Sequence, residues 1–173
     1  IPVTSQTRIP LLVNGTYDLE CGSTTHNTAR EKDVSFAISH FFTGTRLLTK
    51  KTSGIRNYSD LVNKTVVSTA GSTNENVLRK YDSENNLGMQ IVLGKDYDDS
   101  FRMVEDDHAI AFAMDDILLF GLMANSKNPG SLEVVGDTLQ VEPYGCMLRK
   151  DDPEFKNLVD GTRSEERRVG KEC

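Results

Sequence analysis

Residues 21–30 read CGSTTHNTAR, a run of hydroxyl and amide side chains that ends on an arginine and holds little to bury. It follows the short strand-like stretch TYDLE. Ser23, Thr24 and Thr25 offer hydroxyls there, and the Arg30 guanidinium can hold a carboxylate through two parallel hydrogen bonds. Gly71-Ser72-Thr73 ends another strand-like stretch and opens a helix, where backbone N–H groups favour an anion. Tyr97 follows MQIVL. Asp115 follows the wholly apolar AIAFAM, a costly place for a carboxylate unless a cation meets it. Guanidinium and hydroxyl donors on one hand, a carboxylate on the other, describe the complement of an α-amino acid. Arg8, near Ser5, adds a second cation suited to a second carboxylate. Each residue also has a plainer role: Ser72 and Asp115 as helix N-caps, Arg30 and Arg8 as solvated surface charges.

The elements that must position these groups alternate. Thr4 or Ser5 is placed to cap a short helix carrying Ile9, Leu11 and Leu12, which Asn14-Gly15 ends. A strand, TYDLEC, and a short charged helix follow. From residue 55 onward the pattern is strand (KTVVS), helix opened by the capping box STNE with Val77, Leu78 and Tyr81, and strand (MQIVL). A helix from Asp99-Ser100 with Phe101 and Val104 leads to the buried strand AIAFAM, a helix from Asp115-Asp116, and the strand LEVV. Strands separated by single helices predict right-handed crossovers and a mostly parallel sheet. A last strand, YGCMLRK, precedes a helix started by Asp151-Asp152-Pro153-Glu154. The expected organisation is a central lobe at 46–140 inserted into a lobe built from 1–45 and 141–162. Ligands of such sheets bind beyond the carboxyl ends of the strands, where the polar residues above gather.

Composition removes other classes. A net charge of −6 in 173 residues disfavours a phosphate backbone as partner, and no apolar run reaches membrane-spanning length. His26, His40 and His108 lack metal-site spacing, so no metal is expected. The acidic pairs lack the alternation of a calcium loop. Neither GxSxG nor a phosphate-binding GxxxxGK[ST] occurs. The chain opens at Ile1 inside a helical pattern, which reads as a truncated start. RSEERRVGKEC (163–173) has no apolar period; it reads as an adapter-derived tail that breaks off the last helix. Without it Cys21 and Cys146 remain, compatible with one disulfide or with two small buried side chains.

TSQTRIPLLVNGTYDLECGSTTHNTAR, GTRLLTKK, AFAMDD and YGCMLRKDDPEFK resemble the family-3 solute-binding proteins of amino-acid ABC importers, in particular the glutamate/aspartate-binding members. The resemblance covers residues 1 to about 162. It implies the α/β, two-lobed type II periplasmic-binding-protein fold, truncated at both ends, with two crossing strands and lobes that close on the ligand. By resemblance, Arg30 and Thr25 hold the α-carboxylate of L-glutamate or L-aspartate, with Thr73 reaching it from the other lobe and Ser72 beside it. Asp115 takes the α-ammonium, while Ser5 and Arg8, with Ser23 nearby, meet the distal carboxylate. Tyr97 stands where close relatives carry histidine, and the family's first strand–helix–strand unit is absent. The resemblance further implies a periplasmic, monomeric protein without cofactor, catalysis, nucleic-acid partner or membrane insertion, delivering its ligand to permease subunits. The weighed alternatives are an enzyme on the same fold, of dehydratase or lytic-transglycosylase type with Asp115 or His26 moving protons, and a sensor ectodomain.

Overall fold

The computed structural model describes residues 1–150 and 152–169, with 163–169 as backbone only. Two compact units emerge. The first comprises 1–3, 7–42 and 143 onward; the second comprises 4–6 and 43–142. The division falls a few residues from the expected 45/46 and 140/141, because the chain passes from unit to unit inside two strands, β3 (Phe41–Lys50) and β8 (Val141–Tyr144), rather than in loops. Residues 4–6 belong to the second unit although their neighbours in sequence do not. Gly71 explains the fit: its φ is +75°, and a Cβ there would meet the Gln6 backbone at 3.1 Å. Only glycine allows that approach.

The second unit is a sheet in the order β5-β4-β6-β3-β7, with β8 also paired to β3. Its strands β4 (Thr65–Thr69), β5 (Gln90–Gly94) and β6 (Ala111–Asp115) run parallel. β3 lies antiparallel between β6 and β7 (Leu132–Val135), so LEVV does not extend the parallel series directly. Sequence reading missed β3, whose Gly44 and Arg46 interrupt any apolar alternation.

Successive residues of a strand point to opposite faces, and each face here is covered. Leu47, Val66, Ala111, Ala113 and Val135 pack with Leu78 of α2 (Thr73–Asn85) and with Tyr58 and Leu61. Leu48, Val67, Phe112 and Met114 pack with Phe101 and Val104 of α3 (Tyr97–Glu105) and Leu119 of α4 (Asp116–Ala124). That double cover is why AFAM is apolar without alternation. α3 begins earlier than expected, because Asp96 is its N-cap, accepting from the Asp99 N–H at 2.8 Å.

The first unit holds a small antiparallel sheet, β1-β9-β2, of Leu19–Glu20, Met147–Arg149 and Val34–Phe36. The run expected as one strand at 144–150 is split by Gly145-Cys146 into β8 and β9, and TYDLEC contributes only Leu19–Glu20. Leu12 of α1 (Arg8–Val13) packs on Val34, Phe36 and Met147. Neither Thr4 nor Ser5 caps α1; Thr7 occupies that position without a side-chain capping bond, and Asn14 ends the helix. α5 runs from Pro153 to Val169, capped by Asp152, so the helix continues through the position where a break was expected. Glutamate and arginine sustain a helix without any apolar period. The remaining part of the tail, and all side chains from 163, lie outside the described residues.

Candidate functional site

In the first unit the 21–30 segment is pinned along much of its length. Cys21 and Cys146 form a disulfide. The His26 N–H donates to the Pro143 carbonyl at 2.7 Å and the Gly145 N–H to the Thr24 carbonyl at 3.0 Å, with Thr25 and Tyr144 bridged between them. A run with almost no apolar side chains is thus held by backbone pairing and a covalent bond. Arg30 folds back over it, donating from Nη1 to the Thr25 carbonyl at 2.8 Å, while Asn27 accepts from the Arg30 N–H at 2.9 Å. The structure therefore brings Thr25 and Arg30 together. Thr25 is buried, and Ser23 and Arg30 are half-buried.

Arg8 is not a solvated charge. It is 5% exposed, donates from Nη1 to Thr24 Oγ1 at 2.5 Å and lies 4.0 Å from Glu20 Oε1. Thr24 in turn donates to Glu20 Oε2 at 2.7 Å. Thr24 was expected only as one of the hydroxyls of the 21–30 run, and Glu20 was not among the expected site residues; the contact of both with Arg8 spans more than ten positions. The Tyr17 hydroxyl donates to the Arg8 carbonyl. Burial, then the Glu20 charge, pushes the Tyr17 phenol above its ordinary value, with Arg8 opposing.

In the second unit Ser72, Thr73 and Asp115 stand at the carboxyl ends of β4 and β6. Ser72 takes the plainer role: its hydroxyl accepts from the Glu75 N–H at 3.2 Å as the cap of α2. The reciprocal half of the expected box is shifted by one residue, since the Glu75 carboxylate accepts from Gly71 rather than Ser72. Thr73 donates from Oγ1 to Glu142 Oε2 at 2.9 Å. Asp115 does not follow the capping expectation. It sits at the N-cap of α4 without a capping bond, 1% exposed, and accepts from Asn74 Nδ2 at 3.1 Å. Asn74 is oriented by accepting from Thr45 Oγ1 at 2.6 Å. Asn74 and Glu142 were missed because nothing local marks them; both are buried polar residues tied to partners in distant elements. Ser5 and Tyr97 meet within this unit, Oγ to phenolic oxygen at 3.5 Å.

Two chemically distinct sets result: a guanidinium-and-hydroxyl set in the first unit and a carboxylate set in the second. His26, the alternative proton carrier, is otherwise engaged, with Nε2 2.7 Å from Glu31, Nδ1 3.4 Å from Ser39 and its ring stacked on Phe36 at 4.5 Å. Among the described residues no group of three or more His, Cys, Asp or Glu is arranged to hold a metal, and no helix is long and apolar enough to cross a membrane.

The family model for bacterial extracellular solute-binding proteins, family 3, matches residues 1–171. The glutamate/aspartate import solute-binding protein of Salmonella typhimurium is 54% identical over 162 residues, 94% of this chain and 54% of that protein. The L-glutamate/L-aspartate-binding protein of Pseudomonas aeruginosa is 51% identical over 158 residues, 91% of this chain and 52% of that protein. The chain thus spans about half the length of the curated relatives it matches, and these relatives are named as solute-binding proteins, not enzymes. Among solved structures, a mutant of ArgBP from T. maritima superposes with a TM-score of 0.88 at 28% identity, covering 99% of this chain and 72% of that one. The fold class is the expected α/β type II periplasmic-binding-protein fold, and the chain belongs to the bacterial extracellular solute-binding proteins, family 3.

Proposed function

We propose that this chain is the substrate-binding part of an ABC importer for acidic amino acids, taking L-glutamate or L-aspartate without chemical change and passing it to permease subunits from the periplasm. Arg30 and Thr25 hold the α-carboxylate, Arg8 with Ser23 and Ser5 serves the distal carboxylate, and Asp115 takes the α-ammonium. Ser72, Thr73 and Tyr97 complete the set. The observation that carries this reading is Asp115: a carboxylate 1% exposed, oriented by Asn74, and not spent on capping the helix it precedes. A buried carboxylate so placed is suited to a cation brought by the ligand. Support comes from the names of relatives more than 50% identical. A phenol at Tyr97 donates a hydrogen bond but carries no positive charge near neutral pH.

Titration calorimetry of the 173-residue chain with L-glutamate and L-aspartate tests it. Losing one partner of a buried charge pair costs about 2–5 kcal/mol, so Arg30→Ala and Asp115→Ala should each weaken binding by roughly 30-fold or more. Wild-type affinity retained by either variant, or no binding by the unsubstituted chain at millimolar ligand, defeats the reading.

A further inference from the structure

We propose that the second unit carries a separate binding site for the phosphate monoester group of an organic molecule. It is a cavity of about 550 Å³ at the end of the sheet opposite Ser72, Thr73 and Asp115, and it does not depend on the amino-acid-binding reading. The topology assembles it. β4 and β6 run parallel with Val66 opposite Ala111, and β3 runs antiparallel to β6 with Thr49 opposite Ala111. The start of β4, the start of β6 and the end of β3 therefore meet. Lys64, His108 and Lys50 stand at those three places and line the cavity. Its walls are tied together: the Ile110 N–H donates to the Thr65 carbonyl at 2.9 Å, and Thr49 Oγ1 donates to the Ile110 carbonyl at 2.6 Å.

The charges at the rim suit an anion. Lys50 Nζ donates to the Glu105 carbonyl at 2.8 Å and pairs with Asp107 Oδ1 at 2.7 Å. It thereby offsets both the Asp107 carboxylate and the carbonyl end of α3, each of which repels an anion. Among the described residues, the side chains of Lys64 and His108 make no hydrogen bond or ion pair. Their donors are left to a ligand, in a chain whose net charge is −6. Two lysines and no arginine line the cavity. An ammonium binds phosphate as a point charge, whereas a planar carboxylate favours the guanidinium fork. Val104, Ala109 and Ile110 supply an apolar wall for the organic part, and the volume falls within the range of small-molecule sites, about 300–1,000 Å³. Asn63 and Asp107 hold left-handed φ values of 55° and 61° directly before Lys64 and His108, turning the chain at the rim. Asparagine and aspartate tolerate that conformation better than other side chains.

Titration of the 173-residue chain with glycerol phosphate, followed by amide shifts in nitrogen-15 NMR with glycerol as control, tests the site. Shifts should cluster at 63–65 and 107–110 and be absent with glycerol. Lys64→Ala should weaken binding by about threefold to fivefold, and His108→Ala should act in the same direction. Asp107→Asn keeps a residue suited to the turn, alters a side chain that is 80% exposed, and releases Lys50. It should tighten binding by about threefold; a merely structural Lys50–Asp107 pair produces no such gain. Phosphatidylcholine vesicles with and without phosphatidic acid separate the two sources of the group. Co-sedimentation that needs phosphatidic acid and Lys64 assigns a lipid headgroup; binding confined to glycerol phosphate assigns a soluble ester. The absence of shifts at these segments with millimolar glycerol phosphate, together with no Lys64-dependent vesicle binding, overturns the proposal. So does an affinity unchanged in both Lys64→Ala and Asp107→Asn.

Discussion

Asn74→Ala is the most informative single perturbation of the second unit. Asn74 is 1% exposed and holds two buried groups in place, accepting from Thr45 Oγ1 at 2.6 Å and donating to Asp115 Oδ1 at 3.1 Å. Removing a hydrogen bond to a charged group costs about 1.5–3 kcal/mol, and leaving the wholly buried Thr45 hydroxyl without an acceptor costs about 1–3 kcal/mol more. The expected loss is about 3–5 kcal/mol, a large fraction of a typical domain's stability. The chain has no tryptophan, so urea unfolding is followed by far-UV circular dichroism, reading the midpoint at unchanged m. Thr45→Val in the Asn74→Ala background removes the orphaned donor. The double variant should therefore recover about 1–2 kcal/mol relative to additivity. A loss below about 1 kcal/mol in Asn74→Ala, or strict additivity in the cycle, would refute the network.

Three further outcomes are expected. Reducing the disulfide, or substituting Cys21→Ser, should lower stability by about 2–5 kcal/mol, since it closes a separation of 125 residues in a unit with a small core; a urea midpoint unaffected by reductant contradicts this. Tyr58→Phe should cost about 0.5–1.5 kcal/mol by removing the bond from the Tyr58 hydroxyl to the Thr45 carbonyl at 2.9 Å, a carbonyl that still accepts from the Leu139 N–H at 3.0 Å. Burial raises Tyr58 well above its ordinary 10.0, so its contribution is complete below pH 10 and declines as unfolded tyrosines ionise above it; the phenylalanine variant should show a shallower alkaline decline. Asp60 accepts from the Arg56 and Asn57 N–H groups, which lower its pKa from 3.8. Its contribution is present above that value and lost as pH falls through the lowered one, and a carbon-13 titration midpoint at or above 3.8 would contradict the assignment.

Particular elements show how far local pattern reaches. AIAFAM, KTVVS and the helix of Val77, Leu78 and Tyr81 were legible because double burial of a strand and a one-sided helix face leave a short-range imprint. β3 was not legible. Its ten residues include Gly44 and Arg46, and they become a strand because β6 and β7 flank them. α3 was placed late because Asp96 and Asp99 are both plausible caps by type; only geometry shows Asp96 accepting the bond. Arg8 was readable as a cation but not as a buried one, since Thr24 and Glu20 enclose it from later in the chain.

The amino-acid order by itself determined the strand–helix alternation, the polar character of 21–30 and the type of chemistry the conspicuous residues could offer, because propensity and periodicity act over a few neighbouring residues. Tertiary structure alone decided that Cys21 joins Cys146, that Asn74 holds Asp115, and that the Thr73 proton points to Glu142. Those facts pair groups 125, 41 and 69 positions apart. Hydrogen-bond direction depends on which atoms lie within about 3 Å, and at such separations only the folded chain sets that distance.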